Sequence, residues 1–289
     1  MGASLRDIKR KIDAVKKTKQ ITKAMNMVAS AKLRNAQLRI ERFRPYADKY
    51  YEIIADLSGR ADASIHPLLE KREEVKKVGI VLVTSDKGLC GAFNTNLCNA
   101  AKKLALEKKA EGKEVKFICV GKKGRNFFKK TEFEIIDAKV DVLNTFDFQL
   151  ANEIGEFLIS NFLNQELDEV YAVFGKFVTV IKQEPVVNKI LPVESEAEAG
   201  VSSEYIFEPS VEGLLAELLP RYVKVQVYRA LLDTSASEHA ARMTAMDNAT
   251  KNCDELVNSL TLVFNKVRQA SITSELMDIV GGAEALKNA

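Results

Sequence analysis

The sequence predicts an α/β protein in which a long antiparallel coiled coil, formed by the N- and C-terminal helices, carries a small inserted α/β sheet domain. Three observations predict this. From Arg221 to Leu286 the chain holds no proline, and its only glycines, Gly281 and Gly282, come at the end. Within that stretch Val225, Leu232, Ala236, His239, Met243, Met246, Cys253, Val257, Leu260, Phe264 and Val267 recur at spacings built from three and four, with Thr250 filling a gap. Such a heptad seam calls for a helical partner rather than a globular pocket. The same spacing returns at the other end of the chain, in Leu5, Ile8, Ile12 and Val15 and again in Ala29, Leu33, Ala36, Ile40 and Phe43. Between the two ends, short β-type runs alternate with helical segments.

The N-terminal helix is predicted from Ser4 to Ser58, with Ser4 as N-cap, Asp7 at the capping-box position and Gly59 as the C′ residue. Pro45 falls inside it and should bend or interrupt it. In its middle the strict frame puts Lys19, Thr22 and Asn26 on the seam, while Ile21, Met25 and Val28 form an adjacent, shifted stripe. Two readings stay open there: a register device made of polar seam residues, or contact with something besides the partner helix.

A charged connector runs from Gly59 to Lys77. VGIVLVT (78–84) and VKFICVG (115–121) read as buried strands, with a helix between them to about Lys109. KKGRNFFKK is a basic helix or loop, TEFEIID an edge strand, and 148–164 a helix. DEVYAVFGKFVTV (168–180) and VVNKILPVE (186–194) are further strands, the second a candidate antiparallel one. ESEAEAGVSSE (194–204) reads as an acidic linker, and the C-terminal helix should start near Pro209 or Ser210, with Pro220 kinking or restarting it. The resulting division is 1–58, 75–195 and 209–289. Helices at opposite ends of one chain pair antiparallel, because parallel pairing needs a linker as long as the coil. The C-terminal helix should overhang its partner by about ten residues, in the final turns near Ile272 to Leu286.

Charge is uneven: residues 1–50 hold fourteen Lys/Arg against four Asp/Glu, and 184–220 hold eight Glu against one Lys. The basic helix suits a solvated face or an acidic protein better than nucleic acid, since stacking aromatics are missing from it. Cys90, Cys98, Cys119 and Cys253 are scattered without metal-ligand spacing, so neither a metal site nor a disulfide framework is expected. No apolar run approaches a membrane span, and no targeting peptide is expected, because heptad pattern begins at Leu5. Gly88 and Gly91 follow the first strand, where a nucleotide fold cradles phosphate, but no phosphate-loop spacing accompanies them, and a structural turn is favoured. The two histidines are His66, in the connector, and His239, read as a packed seam residue. No nucleophile meets a base, so no catalytic residue and no cofactor is assigned.

Four stretches carry a resemblance: ITKAMNMVASAKLRNAQ (21–37), SDKGLCGAFN (85–94), PRYVKVQVYRALLDTSASEHAARMTAMDNAT (220–250) and NKVRQASITSELMDIVGGAEAL (265–286). Together, in this order and across essentially the whole chain, they resemble the gamma subunits of F-type ATP synthases. The resemblance implies a coiled-coil shaft with a Rossmann-like α/β domain, acting as the central rotor of a proton-translocating ATP synthase without an active site of its own. Implied partners are the alpha and beta subunits of a hexameric ring, an epsilon subunit and the membrane c-ring. No nucleic acid is among them, and the membrane is reached only through the c-ring. By motif position it implies beta-subunit contacts at Arg268, Gln269 and Thr273, and at Lys23 and Met25. Chloroplast relatives carry a regulatory dithiol, and with no cysteine between Cys119 and Cys253 that switch is not expected here. A peripheral position on the cytoplasmic face of a bacterial inner membrane is the expected location. From the residues alone the rival readings are a coiled-coil tether or nucleic-acid-binding arm with a small α/β domain, and a nucleotide-binding enzyme using the Gly88–Gly91 loop.

Overall fold

The computed structural model describes residues 4–60, 66–194 and 211–287. The acidic linker after Glu194 and a helix start at Pro209 or Ser210 therefore lie outside the described residues. In chain order the elements are α1 (Leu5–Arg60), β1 (Lys77–Val83), α2 (Phe93–Ala110), β2 (Glu114–Val120), α3 (Lys122–Phe128), β3 (Glu134–Lys139), α4 (Phe148–Leu163), β4 (Glu169–Phe177), β5 (Gln183–Leu191) and α5 (Val211–Lys287). By compactness they fall into two units: Met1–Val28 with Met243–Ala289, and Ala29–Arg242. Both long helices contribute a stretch to each unit.

Ser4 caps α1. Its Oγ accepts the amide of Asp7 at 3.2 Å and donates to Asp7 Oδ2 at 2.8 Å, so the carboxylate meets the cap hydroxyl rather than the cap amide. One expectation for a helix end fails. Gly59 does not end α1, which runs to Arg60; a helical glycine costs only about 1 kcal/mol, and the burial of Ile54 and Leu57 holds the last turns. Neither Pro45 in α1 nor Pro220 in α5 interrupts its helix. Each costs about 3 kcal/mol, offset by burial of flanking side chains: Ala47 and Tyr50 in one case, Leu219, Tyr222 and Val223 in the other.

The larger unit is built on a five-stranded sheet of order β3-β2-β1-β4-β5. Pairings β1–β2, β1–β4 and β2–β3 are parallel, and β5 closes one edge antiparallel to β4. Along β1 the side chains alternate between two cores. Val78, Ile80 and Leu82 pack with Phe93, Leu97 and Ala101 of α2 and Phe128 of α3. Val81 and Val83 pack with Ile154 and Leu158 of α4, Ile54 and Leu57 of α1, and Val223 and Leu231 of α5. The chain winds from β1 outward to β3 and then crosses back to β4. Right-handed crossovers therefore put α2 and α3 on one face and α4 on the other.

In this unit α5 departs from the expected seam. Val223, Val225, Val227, Ala230, Leu231, Leu232, Thr234, Ser235, Ala236, Ser237 and Ala240 are all buried, so the helix is enclosed on several sides rather than on a two-helix stripe. Its small residues permit close approach to the sheet: Ser237 Oγ donates to the Gly175 carbonyl at 2.9 Å, and Thr234 Oγ1 accepts the Gly175 amide at 3.3 Å. The connector 66–76 has neither helix nor strand. Asp168 clips it to the sheet by accepting the amides of Lys76 and Lys77 at 2.8 and 2.7 Å and pairing with Arg72.

At the end of β2, Gly121 has φ +101°, and a Cβ there would lie 2.1 Å from the Thr84 carbonyl oxygen. Only glycine fits such a backbone approach. Gly121→Ala should therefore cost about 3–5 kcal/mol, read as a lower midpoint in urea unfolding; an unchanged midpoint would contradict the packing described.

Candidate partner interface

The candidate contact residues lie in the smaller unit, where α1 and α5 pair. Ile8 and Ile12 are buried on the seam of α1, and on α5 Met246 is buried while Cys253, Val257, Leu260, Phe264 and Val267 are half-buried at the expected spacing. The polar centre of the seam is filled by cross-helix bonds. Lys19 pairs with Asp254, Thr22 Oγ1 lies 2.8 Å from Thr250 Oγ1, and Asn26 Nδ2 donates to the Met243 carbonyl at 2.8 Å. Numbers rise on one helix as they fall on the other, so the pairing is antiparallel. Thr22 Oγ1 also lies 3.0 Å from the Lys19 carbonyl, and Thr250 Oγ1 2.8 Å from that of Met246. Either hydroxyl can thus donate to its own helix while accepting from the other. These three residues face the partner helix, as a register device requires.

The shifted stripe points elsewhere. Ile21 is 61% exposed and Val28 58%, with Met25 half-buried between them. Lys23 is exposed beside them, and so are Arg268, Gln269 and Thr273 on α5. Thr273 Oγ1 is already engaged, donating to the Gln269 carbonyl at 2.9 Å. The structure does not gather these five residues into one site. Continuing the cross-helix pairs at their spacing sets Arg268 opposite the first turn of α1, roughly 27 Å along the coil from Lys23. They mark two bands. Ser271 is the last half-buried residue among the described ones, and from Ile272 to Glu284 every residue is exposed, including Ile272, Leu276, Met277, Ile279 and Val280. Beyond Ser271, therefore, α5 keeps no seam contact among the described residues.

The Gly88–Gly91 turn, the alternative site, engages its polar groups within the protein. Arg242 donates to the Gly88 carbonyl from Nε and Nη2 at 3.2 Å each, and its Nη2 pairs with Glu238 Oε1 at 2.6 Å. That ion pair is buried, with side chains 10% and 7% exposed. Asn94 Oδ1 accepts the Ser85 amide, and the Phe93 amide goes to the Cys90 carbonyl. His239 packs beside the pair; burial first, then Arg242 and Lys32, push its pKa down to about 4, so it is neutral at pH 7. His66 Nδ1 accepts the Leu68 amide. Burial pushes the thiols of Cys98 and Cys119 up to about 11 and about 12, which makes both poor nucleophiles. Among the described residues no cluster of His, Cys, Asp or Glu is placed to hold a metal ion.

Sequence reasoning missed Asp254 and the Glu238–Arg242 pair. Asp254 flanks the seam opposite a lysine, a position where charge pairing is a usable signal. The i,i+4 spacing of Glu238 and Arg242 is visible in sequence, but their burial is not.

Residues 4–286 match a family model described as ATP synthase. The chain is 65% identical over 288 residues to an ATP synthase gamma chain of Nitratidesulfovibrio vulgaris strain Hildenborough, covering 98% of this chain and 99% of that one. It is 66% identical over 290 residues to the ATP synthase gamma chain of Maridesulfovibrio salexigens, covering 99% of each. Among solved structures, the central stalk/c-ring of the Tetrahymena thermophila mitochondrial ATP synthase is similar with a TM-score of 0.61 at 27% identity, covering 79% of this chain and 99% of that one. The OSCP/F1/c-ring structure of the Euglena gracilis mitochondrial ATP synthase shares the fold, with a TM-score of 0.70 at 23% identity over 98% of this chain and 94% of that one.

A histidine whose folded pKa lies below its unfolded value contributes full stability above the unfolded value and loses it as pH falls towards the folded one. With His239 moved from 6.5 to about 4, the loss falls between those pH values, and it is on the order of 3 kcal/mol. Urea unfolding between pH 7 and pH 4 should therefore show a smaller acid loss for His239→Gln than for the native chain. Equal losses would contradict neutral burial.

Proposed function

Because the chain belongs to the ATP synthase gamma chain family, we propose that its coil works as the central rotor shaft within a ring of alpha and beta subunits. The observation that carries the reading is a helix pair closed on itself by polar bonds while Ile21, Val28 and the run from Ile272 stay exposed. Contiguous exposed apolar side chains on a helix mark a surface for partners. In this reading 1–58 and 209–289 supply the shaft and 75–195 a foot that meets the epsilon subunit and the c-ring.

The mechanism follows from asymmetry. One coil with a basic α1 and an exposed α5 end presents different chemistry to each of three identical catalytic subunits. It can therefore favour a different conformation in each, and turning the shaft moves those preferences around the ring. Proton flow through the c-ring supplies the rotation, and ATP is made and released by the subunits being cycled. Torque needs a coil that does not slip along its own seam, a role that suits Lys19, Thr22 and Asn26. Lys23 and Met25 would meet an acidic beta lever in one band, since opposite charge gives contact without a deep lock. Arg268, Gln269 and Thr273 would meet a beta loop in the other. The chain would supply no catalytic group, cofactor site or metal site of its own. No described helix is long and apolar enough to cross a membrane, which suits attachment through the c-ring on the cytoplasmic face of a bacterial inner membrane.

Purification through a tag on this chain tests the assignment: alpha, beta and epsilon subunits should co-purify. Free chain, or chain with nucleic acid, would instead support a tether or nucleic-acid-binding arm. Arg268→Ala should leave assembly and helical content intact and lower ATP turnover roughly tenfold, the scale of one charge-assisted hydrogen bond. Full turnover in the assembled variant would remove Arg268 from the contact.

A further inference from the structure

The exit of the central strand β1, Thr84-Ser85-Asp86, is buried although every residue in it is polar. The Asp86 carboxylate accepts three backbone amides: Lys122 and Asp141 at 2.9 Å each on Oδ1, and Leu143 at 3.2 Å on Oδ2. The donors come from two separate connections, one leading into α3 and the other joining β3 to α4. Gly121 at φ +101° and Asp141 at φ +59° supply the left-handed turns beside these amides. Next to the carboxylate, the Lys123 amide donates to the Ser85 carbonyl at 3.1 Å and the Gly124 amide to Thr84 Oγ1 at 2.8 Å. Every hydrogen bond given to the Asp86 carboxylate among the described residues comes from the main chain. Amides converging in this way form an anion-binding concavity. This one sits at the carboxyl end of β1, where the winding of the sheet reverses and folds of this topology bind anionic ligands.

We propose that the amides of Lys122, Asp141 and Leu143 form an oxyanion site that the chain fills with its own Asp86 carboxylate. The occupant is a tethered anion, and its charge ties three connections of the α/β unit together. The ligand class of the site is a small carboxylate. A negative acceptor shared by three amides gives stronger, shorter bonds than a neutral one. Asp86 is buried, and replacing it by glycine removes one methylene and one carboxylate, so formate, the smallest carboxylate, is the free ligand that matches the lost group in charge without needing more room.

The test uses the full chain with Asp86→Gly. Its thermal midpoint should fall by roughly 5 °C or more and should rise again in sodium formate relative to an equal concentration of sodium chloride. The native chain should show no such difference, because a ligand stabilises only a protein that can bind it. The amide resonances of Lys122, Asp141 and Leu143 should shift on formate addition in the variant alone. A folded variant with equal midpoints in formate and chloride, and with those amides unmoved, overturns the proposal. Recovery with inorganic phosphate but not with formate overturns the carboxylate assignment. Should Asp86→Gly fail to fold, Asp86→Asn keeps the shape and removes the charge. Its amide nitrogen cannot accept from Leu143, so hydrogen exchange at Leu143 should quicken more than at Lys122 and Asp141. Protection unchanged at all three overturns the proposal as well.

Discussion

Helix α5 has to satisfy different surroundings along one unbroken backbone, and much of the structure follows from how its side chains do so. From Ala230 to Arg242 it is buried on nearly every side, and small residues such as Ala230, Ala236 and Ala240 let neighbouring backbone approach. From Met243 to Ser271 only a seam stays half-buried or better, and from Ile272 onward none of the described residues does. Backbone hydrogen bonding is internal to a helix, so it continues whatever the surroundings. The side chains alone record what lies beside each turn. Pro220 shows how much packing can override: a local break costing about 3 kcal/mol is tolerated where Leu219, Tyr222 and Val223 are buried around it.

The coil itself trades stability for definition. Apolar side chains at the positions of Lys19, Thr22 and Asn26 would bury more surface, but an all-apolar seam tolerates sliding and alternative pairings. A hydroxyl pair and a side-chain amide on a carbonyl are satisfied in one alignment and lose their partners in a shifted one, which carries a penalty of about 1–3 kcal/mol per buried group. The Lys19–Asp254 pair is half-exposed and adds less. Placing the polar residues inward also leaves Ile21 and Val28 outward, so one stretch of α1 both fixes register and presents an apolar surface.

The α/β unit has the winding of a nucleotide-binding fold and uses its crevice differently. Asp86 takes amides at the end of β1, Ser237 and Thr234 bind the Gly175 peptide at the end of β4, and Arg242 holds the Gly88 carbonyl. The groups that would address a ligand address the protein's own chain instead. The buried Glu238–Arg242 pair belongs to this arrangement; breaking it would strand a buried charge, although the pair itself adds little net stability. Fold topology alone therefore says little about chemistry here, and the side chains at the crevice say more.

Periodicity carried most of the architecture in the sequence. The seam from Met243 to Val267, the alternation along β1 and the strand–helix order depend on spacing that any chain of this pattern must express, because burial follows the 3.6- and 2-residue repeats. The resemblance of four stretches to one family was legible for the same reason that motifs are: they are contiguous. What the tertiary structure decided are contacts between residues far apart in sequence. Spacing could not say whether Lys19, Thr22 and Asn26 faced inward, that α1 would run past Gly59, or that α5 would be enclosed around Ala236. Nor could it separate Lys23 and Met25 from Arg268, Gln269 and Thr273 by roughly 27 Å along the coil. Those outcomes depend on which surfaces meet, and a surface exists only once the chain has folded.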